Sequence, residues 1–414
     1  MAKKKQTPAI VKFVVCFFAL LLGAFVGFGG FVYKFLPEHD ELVIKDSDVY
    51  YSFDDKTETT SNKDFVSSDT EVSIHFLELG NKYTGDCTYI KAGDVDILID
   101  CGSKSSSVST VSEYINQFVT DGILEYVIIT HAHQDHYAGF ATASNIQSIF
   151  DLYECKTIID FAQTNQKSKR LGTSANKTMY DYYLDNLDKE IENGAVHYKA
   201  SDLSWNEEDT TKPFHKFFLN EDKSLSLEIL NSYYYYNKAT TENDYSVCTM
   251  LNQGSKKFLF TGDLENTNNS NKGEKLLVDY YRDQYGYSST DSIDIEVYKA
   301  GHHGSKTSSS MDLLNFFKPK IVCICCCAGS SEYTSNLNNQ FPTQTFIDNV
   351  SQFTDAVYVT TLCVDYKKNL FTSFNGNIVI ISNKNNTLQV KCTNNDLKLK
   401  DSEWFKNNRI CANW

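Results

Sequence analysis

Short apolar runs alternate with helical stretches along most of the chain after residue 71. Period-two or continuous apolar patterns predict strands at 72–79, 87–91, 95–99 and 126–129. An amphipathic pattern predicts a helix at 111–119. Strands that alternate with helices are typical of an α/β fold.

A second group of elements repeats this pattern. Strands are predicted from 246, at 257–261, 293–298, 321–328, near 357 and at 378–381, and helices at 273–282, 311–317 and 344–350. The charged helical segment 176–193 and the polar segment 201–222 separate the two groups as surface insertions. Tyr233–Tyr236 are interpreted as a strand that packs on both faces, and the Asn/Lys-rich end of the chain as an irregular tail.

The N-terminus carries an uncharged run, 13–33, close to the length that spans a bilayer. Lysines precede it and acidic residues follow it, so the positive-inside rule predicts one transmembrane helix with residues 1–12 in the cytoplasm and the rest outside the cell. A cleaved signal peptide is the alternative, although the run is long for one. We therefore expect an anchor at 13–33, a linker at 34–70, a globular domain at 71–382 and a tail at 383–414.

The composition of the chain bears on its core, its possible binding partners and its cysteines. A hydrophobic content of 41% supports a packed core, and a net charge of −14 argues against broad electrostatic attraction to nucleic acid. Cys323–Cys327 fall in an apolar run and are interpreted as small buried side chains of a strand, whereas Cys392 and Cys411 are a candidate disulfide pair.

The run His131-Ala132-His133-Gln134-Asp135-His136 holds three imidazoles and one carboxylate at the end of a predicted strand. Neutral imidazoles and carboxylates suit zinc, manganese or iron, and so tight a spacing can divide its ligands between two ions. A His-rich polar loop is the alternative. The position at a strand end favours a metal site.

Two later strand ends carry the same kind of chemistry. Asp263 leaves an apolar strand through Gly262, in a position to bridge two cations. The pair His302 and His303 in Gly301-His302-His303-Gly304-Ser305-Lys306 offers one further ligand and one free imidazole. We expect all three motifs to meet at one edge of a sheet sandwich.

Together these motifs resemble the metallo-β-lactamase superfamily, over residues 72–382. Within it the chain resembles the C-terminal hydrolase domain of the ComEC-type DNA-uptake competence proteins, through residues 97–102, 130–136, 260–265 and 301–307. The resemblance implies a four-layer αββα sandwich with two divalent metal ions, Zn or Mn.

The resemblance also assigns the ligands. It implies that a first ion is bound by His131 and His133, that a second ion is bound by Asp135, His136 and His302, and that Asp263 bridges the two. Asp100 would orient the ligand loop.

One departure concerns the first ion. Many members of the superfamily place a third histidine before the strand of the bridging aspartate, where this chain reads Asn243-Asp244-Tyr245-Ser246-Val247-Cys248. ComEC-type domains are similar, with Asn and Ser here, so Asn243 and Ser246 are supporting candidates. The first ion should be bound more loosely, completed by water, Asp244 or Asn243, which would favour manganese. A degenerate, inactive site is the alternative.

The implied mechanism is hydrolysis. Two ions lower the pKa of a water molecule, Asp135 and Asp263 steer the resulting hydroxide, and His303 stabilises the oxyanion or protonates the leaving group. Lys306 would meet a phosphate, or is a solvated loop lysine.

These expectations describe a membrane-anchored, externally facing phosphodiesterase or nuclease, with DNA as a candidate substrate. One alternative is a hydrolase of cell-envelope phosphodiesters, lactams or lactones. Another is a non-catalytic envelope or DNA-binding module with a degenerate metal site.

Overall fold

The computed structural model describes residues 49–52, 70–142, 146–170, 176–267, 272–383 and 387–414, all within the compact unit Ser47–Trp414. The predicted anchor 13–33, the tail 1–12 and most of the linker 34–70 lie outside these residues. Within the described ranges, no helix is both long and apolar enough to cross a membrane.

Strands account for most of the regular structure. They are β1 (Val49–Ser52), β2 (Val72–Phe76), β3 (Thr88–Ala92), β4 (Val95–Ile99), β5 (Ile123–Ile129), β6 (Glu154–Asp160), β7 (Val196–Lys199), β8 (Lys216–Phe218), β9 (Leu225–Ile229), β10 (Thr249–Gln253), β11 (Lys256–Phe260), β12 (Ile293–Lys299), β13 (Phe317–Ala328), β14 (Val357–Asp365), β15 (Leu370–Ser373), β16 (Ile378–Ser382) and β17 (Thr387–Cys392).

The described helices have at most 14 residues, and all but the last lie between strands in the chain order. They are α1 (Ser107–Ile115), α2 (Gln134–Tyr137), α3 (Ile149–Leu152), α4 (Met179–Glu192), α5 (Gly273–Tyr285), α6 (Met311–Phe316), α7 (Gln344–Val350) and α8 (Glu403–Asn408). Local sequence sets several of their ends. At the start of α4, Thr178 and Asp181 form a capping box, in which each side chain accepts the other's backbone N–H.

Two mixed sheets form the framework. One has the order β1-β17-β16-β2-β3-β4-β5-β6-β7 and the other β15-β14-β13-β12-β11-β10-β9-β8. Each sheet contains a parallel block, β4 to β7 in the first and β11 to β14 in the second. The carboxyl ends of parallel strands meet at one edge of a sheet, which is where α/β folds place their functional loops.

Side-chain alternation along β11 separates two hydrophobic clusters. Phe258 and Phe260 join the cluster that includes β2 and the helices α1 and α4, and the rings of Phe76 and Phe260 lie 6.3 Å apart. Leu259 points the other way and joins the cluster that includes α5, α6 and α7. The fold is therefore the expected α/β sandwich of two mixed sheets with helices packed on them.

The structure corrects two expectations about local structure. Tyr233–Tyr235 form a 3-10 helix rather than a strand, because Tyr234 and Tyr235 turn inward together while Tyr233 and Tyr236 are exposed. The end of the chain is not irregular. β17 pairs with β16 on one side and with β1 on the other, so Val49–Ser52 of the predicted linker also joins the sheet.

Of the two predictions about cysteines, one is confirmed and one is wrong. Cys323–Cys327 are all buried within β13, as predicted. Cys392 and Cys411 are both free thiols, so the disulfide expected between them is wrong.

Candidate metal centre

Asp100 connects the ends of two neighbouring parallel strands, β4 and β5. One carboxylate oxygen accepts the backbone N–H of Thr130 (2.8 Å), and the other accepts the Thr130 hydroxyl (2.8 Å). The second oxygen also lies 2.7 Å from Nδ1 of His136. Because Nδ1 is engaged in this way, Nε2 of His136 is the nitrogen presented to the centre.

The turn that carries Asp135 and His136 is held against the neighbouring loops by backbone hydrogen bonds. The N–H of Asp86 donates to the carbonyl of Asp135 (2.9 Å), and the N–H of Cys101 donates to that of His136 (2.8 Å). These bonds fix α2 at the sheet edge before any ligand is considered. Here His131 Nε2 lies 3.0 Å from His133 Nδ1.

Asp263 enters the same space from the second sheet. It follows β11 through Gly262, whose φ of +54° favours glycine. The Asp263 N–H donates to Oγ of Ser246 (3.0 Å), and this Oγ also lies 3.4 Å from Nδ1 of His131. Ser246, in the segment 243–248 where the superfamily histidine was expected, therefore holds Asp263 in place.

His302 and His303 are consecutive residues with left-handed backbones, at φ +45° and +56°. Such conformations cost free energy outside glycine, on the order of 1–3 kcal/mol each, and cluster at functional sites. His303 Nδ1 lies 2.9 Å from the carbonyl oxygen of Cys325, which directs its Nε2 to within 3.4 Å of both Asp135 Oδ2 and Asp263 Oδ2.

Four buried side chains converge at one point: Asp86, His136, Asp263 and His303 each offer a ligand atom within 4.8 Å of the others. His136 Nε2 lies 3.2 Å from Asp263 Oδ2 and 3.3 Å from His303 Nε2. Ligands of one ion at roughly 2.0–2.2 Å are separated by about 3–4 Å, so these spacings suit metal coordination.

Asp86 was missed by sequence reasoning. It is a single carboxylate before the apolar start of β3, and it reaches the centre through contacts distant in sequence, including His303 Nδ1 at 3.2 Å. Its main partner is the buried Lys299, with which it forms an ion pair. The available signal was Lys299, a lone lysine that ends the apolar strand β12 three residues before His302.

The charges of the centre are strongly coupled. Burial alone would lower the pKa of His136, but the carboxylates of Asp263 and Asp100 outweigh it and raise that pKa to about 10. The pKa of His303 is likewise raised against the effect of burial, by Asp263 and Asp86. Burial and the neighbouring His136 instead lower the pKa of His131. The carboxylates thus attract positive charge to this point.

The donor set fits a divalent cation. Oδ1 of Asp263 is buried and accepts no hydrogen bond from the described residues, whereas the buried Asp86 carboxylate is already paired with Lys299. Unpaired buried carboxylate oxygens are costly unless a cation or proton compensates them. The residues that would hold a metal are therefore present, while its identity and the number of ions are open.

A cleft of about 530 Å³ opens onto these donors. Its lining includes the candidate ligands His133, Asp135, Asp263, His302 and His303, together with Thr84, Ser103, Lys104, Gln134, Glu332, Tyr333 and Phe341. A larger hollow of about 870 Å³ beside α4 is lined largely by ion-paired surface charges such as Arg170 and Asp185, so chemistry rather than volume identifies the site.

Not every predicted residue comes to the cleft. Neither Asn243 nor Lys306 is among the described residues that line it, and Lys306 is exposed. Asp244 accepts a hydrogen bond from the Thr241 hydroxyl at 3.0 Å. The roles expected for these three residues remain predictions.

The metallo-beta-lactamase superfamily model matches residues 80–148, which carry Asp86, Asp100 and the 131–136 run. Solved structures that resemble the chain include the metallo-beta-lactamase fold protein YhfI from Bacillus subtilis (9% identity, TM-score 0.35, 73% of this chain and 100% of that one). Another is a long form RNase Z from yeast (10%, 0.35, 63% and 38%), and a third is a probable metal-dependent hydrolase from Staphylococcus aureus (12%, 0.29, 53% and 84%).

A search of curated proteins finds no match. The family-model match and the buried Asp/His cluster together support a metallo-beta-lactamase superfamily fold with a site compatible with divalent metal ions.

Proposed function

We propose that this protein is a metal-dependent phosphodiesterase of the ComEC-type branch, acting on DNA or another phosphodiester, with residues 13–33 as a membrane anchor and the catalytic domain outside the cell. The observation that carries the hydrolase proposal is the convergence of Asp86, His136, Asp263 and His303 beneath an open cleft. What bound divalent ions would supply is a lowered water pKa and polarisation of the scissile bond.

The side chains around the cleft support an anionic ester as substrate. Lys104 lines it together with Thr84, whose buried hydroxyl has no hydrogen-bond partner among the described residues, and both groups suit phosphate oxygens. The rings of Tyr333 and Phe341, 5.6 Å apart, offer a surface on which a base could stack. This limited positive charge favours a single bound phosphodiester over a long basic groove, in keeping with the acidic chain.

Two groups are placed to move protons. The Asp135 carboxylate lies in the cleft and can accept a proton from the attacking water at Oδ2. The Tyr333 hydroxyl donates to that same oxygen at 3.0 Å, so a phenolic proton lies beside the carboxylate that would receive the proton of the water.

The test uses the full chain, stripped of metal and reloaded with Mn or Zn. We expect cleavage of bis-p-nitrophenyl phosphate and of single- or double-stranded DNA, and a loss of at least about 100-fold in Asp135→Asn. Asp121→Asn, at an exposed carboxylate distant from the cleft, is the matched control. Turnover of lactam or lactone substrates alone would replace the phosphodiesterase assignment, and metal binding without turnover of any ester would favour a binding module.

The anchor is tested separately. The full chain should fractionate with membranes and be cut by protease added to intact cells, whereas a chain that lacks residues 1–33 should not be retained in the membrane fraction. Protection of the intact chain from external protease would overturn the outward orientation.

A further inference from the structure

The turn that holds His302 and His303 directs both imidazoles toward one carboxylate oxygen. Nε2 of His303 lies 3.4 Å from Asp263 Oδ2, and Nε2 of His302 lies 4.0 Å from the same oxygen. The two rings are 6.1 Å apart and nearly perpendicular, with an interplanar angle of 66°. They therefore approach Asp263 from different directions, which is what two ions bridged by one carboxylate require.

His303 already belongs to the second ion's donors, since its Nε2 lies 3.3 Å from that of His136. The first ion's donors are less complete. His131 Nε2 lies 3.0 Å from His133 Nδ1 and 3.9 Å from Asp263 Oδ2, and the segment 243–248 contributes Ser246 rather than a histidine. His302 and His131 thus lie at similar distances from the bridging oxygen.

The environment of His302 matches that of a metal-binding imidazole. Its Nδ1 lies 3.3 Å from a carboxylate oxygen of Glu265 and 3.0 Å from the Thr307 hydroxyl. Asp100 engages Nδ1 of His136 in the same way, at 2.7 Å. A carboxylate on one ring nitrogen fixes the tautomer and raises the basicity of the other, which is the usual support of a metal ligand.

We propose that His302 supplies the third imidazole of the first ion, in place of the histidine that residues 243–248 lack, and that His303 binds the second ion. The assignment rests on the proposed two-metal centre. It moves His302 from the second ion, where the resemblance placed it, to the first, and it makes His303, first expected to be a free imidazole, a ligand of the second ion. The consecutive residues His302 and His303 then each bind one of the two ions, and Ser246 holds Asp263 in place.

This arrangement also gives the two ions unequal affinity. The donors Asp86, His136, Asp263 and His303 are buried and assembled. His302, by contrast, has a side chain that is 21% exposed, and its Nε2 must close on the pair His131 and His133 when the first ion binds. We expect the two ions to bind in sequence. The ion held by His136 and His303 binds before the ion held by His131, His133 and His302.

The test is a Mn(II) titration of the metal-free full chain, followed by electron paramagnetic resonance and by metal analysis after gel filtration. The wild type should bind two equivalents, and the second should produce a spin-coupled spectrum. His302→Asn keeps a side chain that tolerates the left-handed backbone. It should bind one equivalent with the hyperfine pattern of an isolated Mn(II).

Two further variants distinguish a metal-ligand role of His302 from a general structural role. Glu265→Gln should lower the affinity only for the ion held by His302, which binds later, by about 10–100-fold. High Mn(II) should restore two bound equivalents. His197→Asn, at a histidine paired with Asp160 away from the centre, should behave as wild type. Circular dichroism of each metal-free variant verifies the fold.

Two coupled equivalents in His302→Asn would overturn the assignment, as would loss of both equivalents from a folded variant. No binding by the wild type would overturn the metal centre and this assignment together. Two bound ions in the wild type, one in His302→Asn and no ester cleavage would sustain the assignment and remove only the proposed activity.

Discussion

A Cβ atom placed on Gly102 would lie 1.8 Å from the carbonyl oxygen of Asp135. The loop after β4 and the turn that carries the candidate ligands are therefore in backbone contact, with no space for a side chain. We expect Gly102→Ala to displace the turn and to reduce the free energy of unfolding by at least about 3 kcal/mol, measured by urea denaturation.

The control for that substitution is Gly122→Ala. Gly122 has a left-handed φ of +77° but nothing within 4 Å of the added Cβ, so it reports backbone strain alone, about 1–2 kcal/mol. Equal losses in the two variants would contradict the steric explanation.

Asp100 offers a second test, because it binds Thr130 and His136 without entering the cleft. Asp100→Asn places an amide where His136 needs an acceptor, and we expect metal affinity to fall about 10–100-fold in a chelator competition titration. Asp96→Asn removes a buried carboxylate paired with Lys91 elsewhere in the same sheet, and should leave the affinity unchanged. Equal affinity in Asp100→Asn and the wild type would show that His136 needs no such support.

Metal should also stabilise the fold. The buried Oδ1 of Asp263, which accepts no hydrogen bond from the described residues, gains a partner when a cation binds, and binding to the folded state alone adds about 2.7 kcal/mol at a hundredfold excess over Kd. We expect Tm to rise with Mn(II) concentration and to fall on chelation. Asp263→Asn should remove most of this dependence, and a Tm that does not respond to metal in the wild type would contradict the donor set.

The sequence alone was sufficient to predict the candidate ligands that follow an apolar strand pattern. The runs predicted at 126–129, 257–261 and 293–298 are the parallel strands β5, β11 and β12, so their loops were expected at one edge, and the structure places His131, Asp263 and His302 there. Such strand ends can be read locally, because the period of apolar residues changes where the strand stops.

What escaped prediction depends on contacts between distant segments. Asp86 joins the centre through contacts with Lys299 and with the backbone of Asp135. The residues next to Asp86 in the sequence do not predict these contacts. The pairing of Val49–Ser52 with the end of the chain is equally remote, because β1 and β17 lie at opposite ends of the described unit. Single-residue spacing carries no information about such registers.

The carboxyl group of Glu274 gives the fold a pH dependence that can be measured. It is buried at the start of α5 and accepts the backbone N–H groups of Ser309 and Ser310, at 2.6 and 2.8 Å, in the loop that follows the two histidines. Burial raises its pKa from 4.5 to about 7, although these hydrogen bonds act in the opposite direction. The folded protein therefore keeps this proton to a higher pH than the unfolded chain does.

The sign of the effect follows from that difference. Glu274 contributes its full stability below about pH 4.5, and this contribution is lost as pH rises to about 7, by about 3 kcal/mol in total. Glu274→Gln stays neutral, so between these pH values its stability should fall by about that much less than that of the wild type in urea titrations. Glu208→Gln, at an exposed position, should parallel the wild type. If Glu274→Gln also ran parallel to the wild type, the buried carboxyl would not be the group that titrates.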